Sequence, residues 1–273
     1  MKVFHNAAMR KRSRIALALL LLAVIGGIAW LTLRTSEPMY KGKPLSFWLG
    51  AYSAMHTLNL HDGQEKWGES NEAVRSIGTN AIPILLRRLR VDYSPLTLRL
   101  LALAQKQHLF KVRSPSENQR EGILGFEALG DHGKVVVPEL IRIYEKDSSF
   151  RSRYSTIVAL GCIGPAAEQA VPMLVQSLGD TKSYLRPTAL FTLGQIHSRP
   201  EIAVPALIKC LGDRDFSVKM TAAGAITGFG SDARQAVPAL LNALEDSDAY
   251  VKAAARSALK EIDPEAAAKA GVK

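Results

Sequence analysis

The feature that most constrains this chain is a repeat. The dipeptides Val137-Pro138, Val171-Pro172, Val204-Pro205 and Val237-Pro238 recur at intervals of 34, 33 and 33 residues. An aspartate keeps the same beat at Asp147, Asp180, Asp213 and Asp246, and a basic residue follows six positions after each, at Arg153, Arg186, Lys219 and Lys252. Leu160, Leu193, Ile226 and Leu259 form another column, and Ile163, Ile196, Phe229 and Ile262 a further one. A unit of this length cannot bury its apolar face alone, so neighbouring units must stack to make a continuous core.

Within a unit the periodicity is helical. Val171, Leu174, Val175 and Leu178 fall at i, i+3, i+4 and i+7, as do Val204, Leu207, Ile208, Leu211 and Val237, Leu240, Leu241, Leu244. Proline is tolerated at the first helical turn, where its missing N–H has no helical partner. A second helix carries Leu185, Ala189, Thr192, Leu193 and Ile196 on one face, with Ala189, Ala222 and Ala255 as small inner positions in register. The aspartate between the helices is expected to accept orphan N–H groups at the start of the second one. Gly161, Gly164, Gly194 and Gly230 are expected to close the second helices and the turns after them.

These residues resemble the HEAT-like repeat family, in the short form of many bacterial proteins and of phycobilin-lyase-like repeat proteins. The resemblance is carried by Ala-Val-Pro-x-Leu at 170–174, 203–207 and 236–240, by the aspartate and basic columns, and by Leu-Gly-x-Ile at 160–163 and 193–196. It implies an all-α, right-handed α-α superhelix: a solenoid of about five helical hairpins with an N-terminal cap. The Thr-Pro-Leu-His of ankyrin repeats and the aromatic columns of tetratricopeptide repeats are absent.

Upstream the pattern decays. Ala81–Leu86 matches a first helix, Asp92 stands nine residues past Pro83, and Leu96–Gln107 is expected as the second helix of a degenerate repeat spanning 79–130. The polar stretch 109–119, with Pro115, reads as an insertion before a helix at Gly122–Gly130. Four regular repeats are expected over 131–263. Residues 46–78, with Ser46 as N-cap and Phe47, Trp48, Leu49 and Tyr52 as covering side chains, read as the cap; residues 34–45 read as a linker. The Ala- and Lys-rich tail 264–273 is expected to fray.

The net charge of +10 is concentrated at the start, where residues 1–34 hold six basic side chains and no acid. The remaining +4, with both signs interspersed, gives no nucleic-acid footprint. Ile15 to Leu33 is a run whose only polar member is Thr32. As a helix it would cover about 28 Å, close to the hydrocarbon thickness of a bilayer. Basic residues 1–14 ahead of it are expected to stay in the cytoplasm, so that 15–33 acts as a single-pass signal-anchor and exports the repeat domain. Cleavage as a signal peptide is the competing reading, supported by Gly27-Ile28-Ala29 and opposed by the apolar Trp30-Leu31-Thr32-Leu33 beyond it. A third is a buried soluble helix. No cysteine lies near, which excludes a lipidated-cysteine anchor.

Nucleophile-elbow, P-loop, dinucleotide and zinc-protease motifs are absent. No histidine precedes a glutamate, as the HEAT-repeat metal hydroxylase would require. His56, His61 and Asp62 form one weak ligand cluster, otherwise a solvated helix end. Cys162 and Cys210 read as small core residues. The Asp-to-basic columns, Asp147, Arg153, Asp180, Arg186, Asp213, Lys219, Asp246 and Lys252, are expected to form a structural ladder. More variable are the columns Arg151, Tyr184, Ser217, Tyr250 and Phe150, Ser183, Phe216, Ala249, which suit a recognition surface and equally suit unconstrained solvent positions. Arg151, Tyr184, Phe216 and Tyr250 are the candidate partner contacts. The expectation is a membrane-anchored, exported scaffold in a bacterial envelope, binding a protein or peptide, with no catalysis, cofactor, metal, nucleic acid or small-molecule substrate. The alternative implied by the resemblance is a phycobilin-lyase-like enzyme that handles a chromophore.

Overall fold

A glycine in the left-handed region, a tight 3-10 turn and a Val-Pro helix start set the rhythm of the structure. The computed structural model describes residues 37–54, 60–90, 114–147, 149–179 and 184–272. From Tyr40 onward these form one unit of the chain. The expected segments 1–14 and 15–33, the expected helix 96–107 with Asp92, and Asp180, Ser183 and His56 lie outside the described residues.

A hairpin of β1 (Met39–Tyr40) and β2 (Lys43–Pro44) leads into α1 (Leu45–Ala54) and α2 (Leu60–Ile77). Five helical hairpins follow: α3 (Ile82–Leu89) with α4 (Pro115–Leu129), α5 (Val137–Lys146) with α6 (Phe150–Ile163), α7 (Val171–Ser177) with α8 (Arg186–Ile196), α9 (Pro200–Leu211) with α10 (Phe216–Thr227), and α11 (Val237–Ala243) with α12 (Ala249–Ile262). A short α13 (Pro264–Lys269) packs on α12. The second helices stack in sequence, α4 on α6, α6 on α8, α8 on α10 and α10 on α12.

The repeat columns form the core. Leu160, Leu193, Ile226 and Leu259 are fully enclosed, as are Leu140, Leu174, Leu207 and Leu240 from the first helices and Ala189, Ala222 and Ala255 from the second. The second helices approach closely because their contacts are small. A Cβ on Gly194 would stand 2.8 Å from the Ala225 Cα, and one on Gly228 would fall on the Gly194 carbonyl. Ordinary carbon contacts need about 3.5–4.0 Å.

The junction before the first hairpin and three of the four between hairpins start with a glycine at positive φ, Gly78, Gly130, Gly164 and Gly230, each opening a 3-10 turn. The third junction between hairpins, from α8 to α9, departs from this. His197 (φ 34°) and Arg199 (φ 57°) take left-handed conformations there, and α9 starts early, at Pro200. Pro205 is therefore inside a helix, where the repeat predicted it at the start.

Other expectations need correction. The stretch read as an insertion at 109–119 contains the start of α4. Ser114 Oγ accepts from the Glu117 amide at 3.2 Å, and the Glu117 carboxylate accepts from the Ser114 amide at 2.6 Å. That reciprocal capping box, with Pro115 in the first turn, begins a helix. α4 packs on α3 and α6, so it takes the second-helix place in the degenerate repeat. The stretch read as linker ends in the β1–β2 hairpin, and α1 starts at Leu45 rather than after a Ser46 cap. Trp48, Leu49 and Tyr52 are buried as cap residues should be, whereas Phe47 is exposed. The tail does not fray up to Lys269. Asp263 caps α13 by accepting from the Ala266 amide at 2.9 Å, and Ala267 is buried.

Candidate functional site

The aspartate column sits between paired helices, but it does not cap the second one. Ser149, Asp215 and Asp248 do that. Asp147, Asp213 and Asp246 instead tie the turn, each with one carboxylate oxygen accepting the amide two residues on at 2.9 Å. In Asp213 and Asp246 the other oxygen reaches between repeats. Arg186 pairs with Asp213, and Lys219 pairs with Asp246 at 2.5 Å, so each cation links its own repeat to the next. Arg186 Nε also donates to the Leu178 carbonyl at 3.1 Å, at the end of its own first helix.

Burial pulls the Asp213 carboxyl up, and the Arg186 hydrogen bond with the turn amide overcomes it, leaving it below the ordinary carboxylate range. The Lys219 hydrogen bond, helped by the Asp248 amide, does the same for Asp246.

The first rung differs. In α4 an uncharged residue, Gln119, donates to the Leu89 carbonyl at 3.4 Å, as Arg186 does to Leu178. Beside Asp147 lies a shallow groove of about 290 Å³ lined by Arg90, Arg142, Ile143 and Lys146. Its cations are largely answered, because Glu139 accepts from Arg90 at 3.0 Å and from Arg142 at 2.7 Å.

A second polar cluster joins the cap to the first hairpin. Glu121, fully enclosed, pairs with Arg88 and accepts from Ser53 Oγ at 2.9 Å, while Arg88 donates to Asn118 at 3.1 Å. A buried pair satisfied in this way holds α1, α3 and α4 in one arrangement. Cys162 is held as a thiol, its pKa pushed up to about 12 by burial and then by nearby Glu127, which makes it a poor nucleophile. Among the described residues no three of His, Cys, Asp and Glu come together as a metal site. The side chains of His61 and Asp62 lie outside the described residues.

The surface with the clearest character is formed by the exposed sides of the second helices. Phe150, Tyr154, Tyr184, Phe191, Phe216 and Tyr250 are all exposed on these helices or on the turns entering them. Phe150 and Tyr154 stack, with ring centroids 6.3 Å apart. No Asp, Glu, Lys or Arg occurs in 154–167, 187–198 or 220–231, the runs that supply this face of α6, α8 and α10. The candidate contacts Arg151, Tyr184, Phe216 and Tyr250 are all exposed, at the N-terminal ends of second helices. The sequence columns chosen beside the aspartates therefore mark one edge of a larger face. They miss its interior columns: Tyr154, Pro187, Met220, Ala253 and Val158, Phe191, Gly224, Ser257. Those charge-free runs were the available signal.

Phe150–Ser177 is, among the described residues, the one helical stretch long and apolar enough to cross a membrane, and 56% of its apolar window is buried. It comprises α6, a turn at Gly164 and α7, so its apolarity is that of the core.

No curated protein matches this sequence. A solved structure of an engineered protein is similar at a TM-score of 0.42 and 20% identity, over 80% of this chain and 96% of that one, a likeness too loose to bear on function. The family model for HEAT repeats matches residues 137–227 and 204–270. Those spans cover α5 through α13, where the column spacing, the helical hairpins and the inter-repeat rungs coincide, and residues 137–270 are accordingly HEAT repeats.

Proposed function

We propose that this protein is a non-catalytic interaction scaffold, which holds a protein or peptide across the second-helix face of several repeats. The carrying observation is the contrast of surfaces: an aromatic face on α6, α8 and α10 whose interior columns carry no charge, against first helices α5 and α9, which present Glu139, Arg142, Glu145, Glu201 and Lys209. Aromatic side chains supply large contact area at little entropic loss, and they anchor interfaces. The charge distribution of the first 34 residues supports a tether at 15–33, with the repeats on the far side of the membrane.

Proximity labelling from the full chain in living cells identifies the partner. With it in hand, Arg151→Glu, Tyr184→Ala and Tyr250→Ala should weaken binding in graded steps while far-UV helicity is unchanged. One exposed substitution that abolished all activity with folding intact would replace the scaffold by a localised active site. A reporter that works only outside the cytoplasm, fused after Lys273, should be active. Activity of a cytoplasm-only reporter there would overturn export, and a mature N-terminus at Trp30 would replace the tether by a cleaved signal.

A further inference from the structure

The cap carries a cluster of rings and ammonium groups that the repeat core does not use. Trp48 is buried and meets two rings edge-on, Tyr40 at 5.7 Å and Phe47 at 5.2 Å between centroids. Its indole N–H donates to the Tyr40 carbonyl at 3.3 Å, which ties the β1–β2 hairpin to α1. Phe47 has no such place inside and is 51% exposed. Two exposed lysines stand over these rings. Lys43 Nζ lies 4.2 Å from the Phe47 centroid and 5.3 Å from that of Trp48, and Lys41 Nζ lies 5.0 Å from that of Tyr40.

The carboxylates around this cluster belong to α2. Glu72 accepts from Tyr40 Oη at 2.5 Å and pairs with Lys41 at 3.6 Å. Both ends of that pair are open to water, where such a contact is worth little and another anion can replace it. α2 also exposes Glu65 and Glu69, together with Lys66. Lys43 is on the hairpin, and its ammonium rests on rings. An ammonium over an exposed ring is amphipathic at a single point: the ring gains in an apolar boundary and the ammonium gains at a phosphate. Aromatic and basic side chains gather at the edge of a bilayer for that reason.

The place of the cluster in the chain supplies the occupant. Tyr40 comes seven residues after Leu33, the end of the apolar run, and an extended chain of that length spans at most about 25 Å. With 15–33 in a bilayer, contact between the cluster and lipid is intramolecular, so a patch too small to hold a free partner suffices. From Arg34 to Trp48 the basic residues Arg34, Lys41 and Lys43 stand against Glu37 alone, the sign that an anionic headgroup surface attracts.

We infer that Phe47 and Lys43, with Tyr40 and Lys41, dock on phospholipid headgroups, Phe47 entering the apolar boundary and Lys43 meeting a phosphate. This rests on the tether reading and adds what the cap does at the membrane.

The probe is the full chain in vesicles of phosphatidylethanolamine and phosphatidylglycerol, with the photoreactive benzoylphenylalanine in place of Phe47 and, in a separate preparation, of Tyr184. After illumination, mass spectrometry should find phospholipid adducts at position 47 and few at position 184. Lys43→Glu should lower the yield at 47 several-fold, with the thermal midpoint and the co-flotation of the chain with vesicles unchanged. Lys134→Glu, the same charge change at an exposed turn between repeats, should leave the yield as it was. A chain that floats with the vesicles but gives no more adduct at 47 than at 184, or a yield indifferent to Lys43→Glu, overturns the inference and leaves the tether standing. An equal loss with Lys134→Glu also overturns it, because net charge would then be the cause. A chain that does not float with the vesicles overturns the tether and the inference together.

Discussion

Two glycines four residues apart should respond to alanine with opposite signs. Gly224 is inside α10 and faces open space, so a methyl group there costs no contact and relieves the entropic penalty of glycine in a helix. Gly224→Ala should therefore stabilise by about 0.8–1 kcal/mol. Gly228 lies just past the end of α10, and its Cβ would fall on the backbone carbonyl of Gly194 in the neighbouring repeat. Backbone cannot swing aside as a side chain can, so α8 and α10 must separate. Overpacking of this kind costs about 1–3 kcal/mol, with no helix-propensity gain to offset it outside the helix. The pair should differ by roughly 2–4 kcal/mol. Gly194→Ala meets Ala225 from the other side, and once either substitution has parted the helices the second has less left to disturb. The double variant Gly194→Ala/Gly228→Ala should therefore cost less than the sum of the singles. Urea denaturation of the full chain, followed by far-UV circular dichroism, reads each effect as a shift in midpoint. If Gly224→Ala and Gly228→Ala moved it in the same direction, the close approach of the second helices would be refuted.

Leu193 is fully enclosed, so Leu193→Ala should cost about 2–5 kcal/mol, whereas exposed Glu201→Ala should stay within about 0.5 kcal/mol; equal effects in the same melts would mean that the register is wrong. A double-mutant cycle on Arg186→Met and Asp213→Asn should return a coupling of about 0.5–3 kcal/mol, and additive losses would remove the rung as an energetic link. Asp213 and Asp246 both have carboxyls held below the ordinary range. Their contribution is complete above the unfolded value of about 3.9 and is lost as pH falls through the lower folded value. Stability in Asp213→Asn should accordingly vary less with pH below about 4 than in the parent chain, and identical acid profiles would contradict this.

The core was legible because its information is local and repeated. Leu160, Leu193, Ile226 and Leu259 declare one buried stripe four times over, and all four are enclosed. Features that depend on one distant contact were not legible. Glu121 sits in a polar run and reads as a solvent residue, yet it is buried because α1 docks over it, with Ser53 reaching it from 68 positions away. Pro115 marks a break in most polar runs, and only the reciprocal cap of Ser114 and Glu117 makes it fit the first turn of α4. The third junction was hidden in another way: His197 occupies the place that Gly164 and Gly230 hold elsewhere, so the Val-Pro spacing persists while the helix start moves. The edge of the candidate face was visible in the variable columns. Its interior was not, because absence of charge leaves no residue to point at.

The forward reach of the rungs bears on how such an array changes length. In the two rungs seen complete, the cation stands 27 residues before the aspartate of the following repeat, so the coupling is written in two halves that belong to different modules. Over the repeats joined by these two rungs, excising or duplicating a block of one full period leaves each half beside a compatible half, whatever the sequence on the exposed face. A block cut at any other length would misalign the halves and strand a cation against a turn with no carboxylate. The array can therefore lose or gain a whole module without redesigning its seams, and the surface it presents can be reassembled in a new order while the joints stay the same.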